Sequence, residues 1–90
     1  MAHVRFTSAL NRYFPKLEDA HFEASSVAEL IRVVDLKHPG LADYIVDERG
    51  ALRKHVNVFI GDRLVTDRVK LMDEIDSDSR VCIFQALSGG

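Results

Sequence analysis

The stretch VAELIRVVDLK (residues 27–37), preceded by Ser26 and followed by Pro39-Gly40, decides the fold. Ser26 and Glu29 form a capping box, in which the Ser26 hydroxyl accepts from the Glu29 N–H and the Glu29 carboxylate reaches back to the Ser26 N–H. A helix is therefore predicted to begin here and to end at Pro39-Gly40. Its apolar residues recur at helical spacing and form one stripe. The stripe comprises Val27, Leu30, Ile31, Val34 and Leu36.

Two strands are predicted before this helix. In His3–Leu10 apolar and polar residues alternate, with Val4, Phe6 and Leu10 on one parity, as in a strand with one buried side. The polar stretch Asn11–Asp19 follows as a loop. Ala20–Ala24 then reads as a short second strand that closes a hairpin.

The sequence after the helix predicts a second short helix and three strands. Leu41–Val46 reads as a second short helix, and His55–Ile60 is a β-prone run that ends at Gly61-Asp62. Arg63–Val65 returns across that turn, and Val81–Phe84 forms the last strand. The inner side of the second helix is expected to carry Leu41, Tyr44 and Ile45.

This order is strand, strand, helix, strand, short strand, final strand. It predicts the α+β class and a β-grasp, or ubiquitin-like, architecture, in which a mixed sheet of four or five strands packs over one main helix. Residues 1–90 are expected to form a single domain, because a chain of 90 residues suits one core. About the last five residues, 86–90, are expected to form a flexible tail.

Composition excludes several function classes. The chain has 12 basic and 14 acidic residues, a net charge of -2, and no basic stripe of the kind that binds nucleic acid. No apolar run approaches the length of a membrane span. A single cysteine, Cys82, fits a reducing compartment, so we expect a cytoplasmic protein. A deep substrate cleft is hard to build at this size, which disfavours a self-contained enzyme.

The last strand raises a question about the open face of the sheet. Val81–Phe84 does not alternate, so if Val81 and Ile83 face the helix, Cys82 and Phe84 lie on the uncovered side. An aromatic residue on that side is suited to contact a docking partner. It is equally compatible with the sequence that an end strand or the tail of the same chain covers it. The sequence does not settle which parity of Val56–Ile60 points outward. The candidate docking residues are Phe84, Phe59, Ile60 and Leu87.

Other reactive residues favour plain structural roles. Cys82 in an apolar strand is expected to be a small packing residue. The histidines at positions 3, 21, 38 and 55 lack metal-ligand spacing. Glu74, Asp76 and Asp78 imitate the start of a calcium loop, but Ser79 stands where that loop needs glycine. We therefore predict no metal site.

The end of the sequence, Gly89-Gly90, carries the strongest functional signal. A tail without Cβ atoms can lie extended in a narrow tunnel, so that its carboxylate reaches the α-phosphate of a nucleotide. A carboxylate is a poor electrophile, and activation means formation of an acyl-adenylate. Attack by a persulfide or thiol would follow, and the expected end product is a thiocarboxylate at Gly90.

Two segments make the resemblance specific. VNVFIGD (56–62) and the stretch from Leu71 through DSRVCIF (78–84) to the final Gly-Gly resemble the ubiquitin-like sulfur carriers of the MoaD/ThiS type. These are the small subunit of molybdopterin synthase, the thiamine carrier and the carrier used in cysteine synthesis. The chain departs from many members at Gln85, where they have proline, and near Ser77, where they have glycine.

The resemblance implies specific roles. Gly90 would carry the sulfur, Gly89 would give clearance in the tunnel, and Phe84 would present an apolar docking residue. An E1-like adenylating enzyme would use ATP to activate the tail, and a downstream synthase would accept the sulfur. The chain itself would bind no cofactor and would be a sulfur donor rather than a catalyst.

Two other functions remain compatible with the sequence. In the first, the activated Gly90 is joined to a lysine amine, which makes the chain a ubiquitin-like protein modifier. In the second, the open face binds a partner and the tail is inert. The pathway that would receive the sulfur, whether cysteine, molybdopterin or thiamine synthesis, stays open.

Overall fold

The computed structural model describes residues 1–6, 10, 14 and 17–85 of the chain. Its elements occur in the predicted order, including the short second helix. They are β1 (Ala2–Phe6), β2 (Ala20–Phe22), α1 (Val27–Lys37), α2 (Ala42–Ile45), β3 (Val56–Ile60), β4 (Arg63–Leu64) and β5 (Arg80–Gln85).

The described strands form one mixed sheet of five strands in the order β2-β1-β5-β3-β4. β1 and β5 are parallel, while the β1–β2, β3–β5 and β3–β4 pairs are antiparallel. Parallel strands need a long crossover, and α1 lies within the one that separates β1 from β5 in sequence. The sheet confirms the predicted β-grasp architecture, and it places β5, the last described strand, at its centre.

The core lies between α1 and one side of the sheet. The sheet side contributes strand residues of one parity, and four of them, Val4, Val58, Val81 and Ile83, are at most 1% exposed. The helix contributes Val27, Leu30, Ile31 and Val34, all buried. Leu36, however, is 71% exposed, so its predicted place in the stripe was wrong. It follows Val34 by two residues, which turns its side chain by about 200° around the helix axis.

The start of α1 has a modified capping box. The Glu29 N–H donates to the Ser26 hydroxyl at 3.2 Å, as predicted. The Glu29 carboxylate accepts from the Ser25 N–H at 2.8 Å instead of from the Ser26 N–H. Ser26 is extended, with φ -146° and ψ 163°, and forms a β-bridge with Glu74, so the donor that meets the carboxylate lies one residue earlier.

The end of α1 agrees with the Pro39-Gly40 signal. The His38 N–H donates to the Val34 carbonyl at 2.9 Å, and Gly40 adopts a φ of +96°, which favours glycine. The Asp35 carboxylate then accepts from the N–H groups of Gly40 and Ala42. This bridge sets α2 directly after α1.

The first strand differs from its prediction at its end. β1 stops at Phe6, and Leu10 has helical backbone geometry while being fully buried. The prediction that the strand runs to Leu10 was therefore wrong there. The alternating pattern correctly placed Leu10 in the core. A buried side chain, however, can be carried by helical as well as by extended backbone. The predicted second strand is also shorter, because it ends at Phe22.

Two carboxylates organise the long loop between β4 and β5. Asp73 accepts from the Arg63 guanidinium at 2.8 Å and from the N–H groups of Thr66 and Asp67. The Arg63 contact, followed by these backbone donors, holds the pKa of Asp73 far below its usual range. Asp67 in turn accepts from the N–H groups of Val69 and Lys70. The loop thereby places three side chains in the core, namely Val65, Leu71 and Ile75.

Candidate functional site

The open face of the sheet is the side that points away from α1. Because side chains alternate along a strand, the register of the ladders assigns its residues. Among the described strands they are His21, His3, Arg5, Arg80, Cys82, Phe84, Asn57, Phe59 and Leu64. The face runs from the β2 edge to the β4 edge and has two unlike parts.

The apolar half of the open face consists of Cys82, Phe84, Phe59 and Leu64. Phe59 lies opposite Cys82 in the ladder, so Phe59 and Phe84 are diagonal neighbours. Their rings stack with centroids 5.5 Å apart and an interplanar angle of 12°, which leaves both half-buried. Leu64 lies opposite Phe59 and is 50% exposed. The stack therefore forms an apolar patch beside an exposed leucine.

Two candidate docking residues do not join this patch. Ile60 has the core parity of β3 and is 9% exposed, so the structure corrects its expected place on the open face. The β3 run is apolar on both parities at this end, and only the ladder with β5 decides which of Phe59 and Ile60 points outward. Leu87 lies outside the described residues, as do Gly89 and Gly90.

Arg68 braces the end of β3 that pairs with Gln85. Gln85, the last described residue, pairs with Val56 at the end of the sheet. The Arg68 guanidinium donates to Asn57 Oδ1 at 2.7 Å, to the Arg53 carbonyl at 2.8 Å and to the Val56 carbonyl at 2.9 Å. The bond to the Val56 carbonyl satisfies a backbone acceptor of β3 where β4 no longer reaches it. Gln85 thus pairs with a strand end that Arg68 holds in place.

Sequence reasoning missed both Arg68 and Leu64. Leu64 was detectable, because the return across Gly61-Asp62 sets it opposite Phe59 on the same face. Arg68 gave no signal, since its partners lie 11 to 15 residues away in sequence. Only the folded loop brings its guanidinium to them.

The remaining reactive residues show no metal site. Within the described part of the chain, no group of three or more His, Cys, Asp or Glu side chains is placed to hold a metal ion. Cys82 is half-buried on the open face instead of packed in the core. His3 and His21 stack across β1 and β2 with ring centroids 4.8 Å apart. Asp76 and Ser79 form a tight turn in which the Asp76 N–H donates to the Ser79 hydroxyl at 2.9 Å.

Among the described residues, no helix has the length and apolar character needed to cross a bilayer.

Three solved structures illustrate the likeness in fold. The chain superposes with a TM-score of 0.85 on a chain of the BexX/CysO complex of Amycolatopsis orientalis, at 22% identity and full coverage of both chains. CysO of Mycobacterium tuberculosis matches with a TM-score of 0.83 at 18% identity, covering 97% of this chain and 100% of that one. SAMP1 of Haloferax volcanii matches with a TM-score of 0.76 at 16% identity, covering 99% and 98%.

At these identities the likeness shows the fold alone. No curated protein sequence matches the chain significantly. The sequence profile of the ThiS family, by contrast, matches residues 6–90, which is nearly the whole chain. Together with the β-grasp sheet and the CysO and SAMP1 likenesses, this match identifies the chain as a member of the ThiS family of ubiquitin-like sulfur carriers.

Proposed function

We propose that the chain carries sulfur as a thiocarboxylate on Gly90, loaded by a separate E1-like adenylating enzyme. The observation that supports this most directly is the match of the ThiS family through residue 90, which includes Gly89-Gly90. The fold adds a physical reason. β5 is the central strand, and Arg68 braces its end, so the tail would leave from a rigid base and enter a partner's nucleotide site.

The chemistry proceeds in three balanced steps. An oxygen of the Gly90 carboxylate attacks the α-phosphorus of ATP, and pyrophosphate leaves, which gives an acyl-adenylate. The terminal sulfur of a persulfide attacks the acyl carbon, and AMP leaves. A thiol then cleaves the resulting S–S bond, is oxidised to a disulfide and releases the thiocarboxylate. With inorganic sulfide as donor, the thiocarboxylate forms directly and no thiol is oxidised.

The chain would contribute recognition and delivery, and the partner would supply ATP and catalysis. Gly89 gives clearance, because a Cβ next to the reacting carboxylate would widen the tail. The Phe59–Phe84 stack offers an anchor of the kind that dominates protein interfaces. A downstream synthase in cysteine, molybdopterin or thiamine synthesis would accept the sulfur.

The test is intact-mass measurement of the chain. It is incubated with ATP, sulfide and the adenylating enzyme encoded in the same genome. We expect the mass to rise by the difference between sulfur and oxygen, and fragmentation to place the change on Gly90. A chain that lacks Gly90 is the control and should keep its mass. An unchanged mass of the full chain, with an enzyme that binds ATP, would contradict the proposal, as would a native protein that extends untrimmed beyond Gly90.

A second candidate function is protein modification. The specific observation in its favour is the structural match to the small archaeal modifier protein 1 of Haloferax volcanii, with a TM-score of 0.68 and 12% identity. Modification would use the same activated Gly90 but would transfer it to a lysine amine. Adducts of the chain in cell lysate that disappear when Gly90 is deleted would favour this function over sulfur transfer.

A further inference from the structure

The open face also has a basic half, which the sulfur-carrier chemistry does not use. It consists of His21, His3, Arg5 and Arg80, on β2, β1 and β5. His3 pairs with His21 on one side and with Arg80 on the other, so these side chains form one continuous row. Arg5 pairs with Cys82, and Cys82 with Phe59, which places Cys82 on the border between the basic and apolar halves.

The basic half contrasts with the charge of the whole chain. None of the outward positions on the described strands is acidic, although acidic residues outnumber basic ones in the sequence. The chain carries a net charge of -2 and Arg5 and Arg80 carry +2, so all other residues together carry -4. The outward strand positions thus carry a net positive charge, whereas the rest of the chain carries a net negative one.

Both arginines are available to a partner. Arg80 is exposed. Arg5 forms an ion pair with Asp19 at 3.5 Å, and the two side chains are 70% and 47% exposed. A pair this long and this exposed contributes little to stability, so a partner carboxylate can compete for the Arg5 guanidinium.

We infer that the open face binds the adenylating enzyme through both halves, with the basic half facing a carboxylate-rich surface beside the apolar pocket that takes Phe84. This inference rests on the proposed function. Charge complementarity selects the occupant, because a row of two arginines and two imidazoles suits an acidic protein surface. A second copy of the chain offers no matching acidic strand face at the described outward positions.

The two halves together orient the tail. An apolar patch alone allows several rotations of the docked chain, whereas an apolar half beside a basic half matches its partner in one setting. β5 carries Arg80 at one end and Gln85 at the other, so that setting fixes the direction in which β5 runs across the enzyme. The enzyme would then receive the carboxylate in line with its nucleotide site.

The first test reverses the charges of the basic half. The variant Arg5→Glu/Arg80→Glu is compared with Arg32→Glu/Arg49→Glu, which makes the same charge change at exposed positions away from the open face. Release of pyrophosphate by the adenylating enzyme is measured against the concentration of the chain. We expect the first variant to raise KM about tenfold with kcat nearly unchanged, and the control to leave both near wild type. Added salt should raise KM of the wild type more than that of the first variant.

The second test uses Cys82, the only cysteine in the sequence, as a probe of coverage. The chain is alkylated in the presence and absence of the enzyme, without a sulfur donor, and its intact mass is followed. We expect the bound enzyme to slow alkylation of Cys82. Thermal unfolding is measured for both charge-reversed variants, to establish that each is folded.

The outcomes separate the inference from the proposed function. Equal KM values for the two charge-reversed variants, with pyrophosphate released, would overturn the inference and leave adenylation intact. Protection of Cys82 without any pyrophosphate release would support the docking face and contradict adenylation of Gly90. Unprotected Cys82 at saturating enzyme, or self-association of the chain that buries the same face, would also overturn the inference.

Discussion

The two sides of the sheet differ in burial, although their residues alternate along the same strands. On the core side of β5, Val81 and Ile83 are at most 1% exposed. On the open side of the same strand, Cys82 and Phe84 are half-buried and Arg80 is exposed. Adjacent residues therefore differ in what they contribute. Burial of the core side stabilises the fold. The apolar and charged groups of the open side contribute most of their favourable free energy only when a binding partner covers them.

The largest effect is expected on the core side, at Ile83→Ala. The side chain is fully buried at the centre of the sheet, and its loss leaves a cavity. We expect the free energy of unfolding to fall by about 3 kcal/mol, measured by urea denaturation. A loss under about 1 kcal/mol would mean that the core side is not tightly packed.

The next largest loss of unfolding free energy is expected for Asp73→Asn. Asp73 lies in the loop between β4 and β5, which contributes side chains to the core. The Asp73 side chain is 5% exposed and accepts from Arg63 and two backbone N–H groups. Loss of its charge should lower the free energy of unfolding by about 2 kcal/mol at neutral pH.

The same carboxylate predicts a pH dependence. Its folded pKa lies below its unfolded value, so its stabilisation is complete above the unfolded pKa of about 4 and is lost as pH falls toward the folded pKa. Wild type should therefore lose more stability on acidification than Asp73→Asn. Parallel denaturation curves for the two proteins from neutral to acidic pH would contradict this assignment.

On the open side, Phe84→Ala should separate docking from folding. Phe84 stacks on Phe59 but is half-buried, so we expect a loss of up to about 1 kcal/mol in unfolding free energy. Binding to the adenylating enzyme should weaken at least tenfold, as measured by titration calorimetry, because an aromatic anchor is lost. If stability falls as far as in Ile83→Ala, Phe84 is part of the core and the contrast between the two sides fails.

The smallest effect is expected at Leu36→Ala, paired with Val34→Ala as a matched change on the same helix. Leu36 is 71% exposed and Val34 is fully buried. We expect a change within about 0.5 kcal/mol for Leu36→Ala and a loss of about 2 kcal/mol for Val34→Ala. Similar losses for both, in thermal or urea unfolding, would return Leu36 to the apolar stripe.

Local patterns predicted most of the fold. The capping box placed the start of α1 and the Pro39-Gly40 signal its end, because both depend on contacts within a few residues. The β-prone runs around Gly61-Asp62 placed β3 and β4 for the same reason. Apolar character alone was less informative at Leu36, where two residues of spacing decide between the core and solvent.

The candidate site was predicted in part. The run Val81–Phe84 gave a conditional prediction, that Phe84 lies on the uncovered side if Val81 and Ile83 face the helix. The burial of Val81 and Ile83 meets that condition. The parity of Val56–Ile60 was undecidable, because both Phe59 and Ile60 are large and apolar. The basic half could not be predicted as one surface, since His21, Arg5 and Arg80 come from three strands that only the fold brings together.

By itself the sequence determined the order of elements, the apolar stripe of α1 apart from Leu36, and the glycine pair at residues 89 and 90, which lies within the match to the ThiS family. Only the tertiary structure decided that Phe59 rather than Ile60 joins Phe84, that Arg68 braces the end of β3, and that four basic side chains meet beside the aromatic stack. The physical reason is range. Caps, turns and parity depend on neighbours in the chain, whereas a face is assembled by ladders between strands that are far apart in sequence.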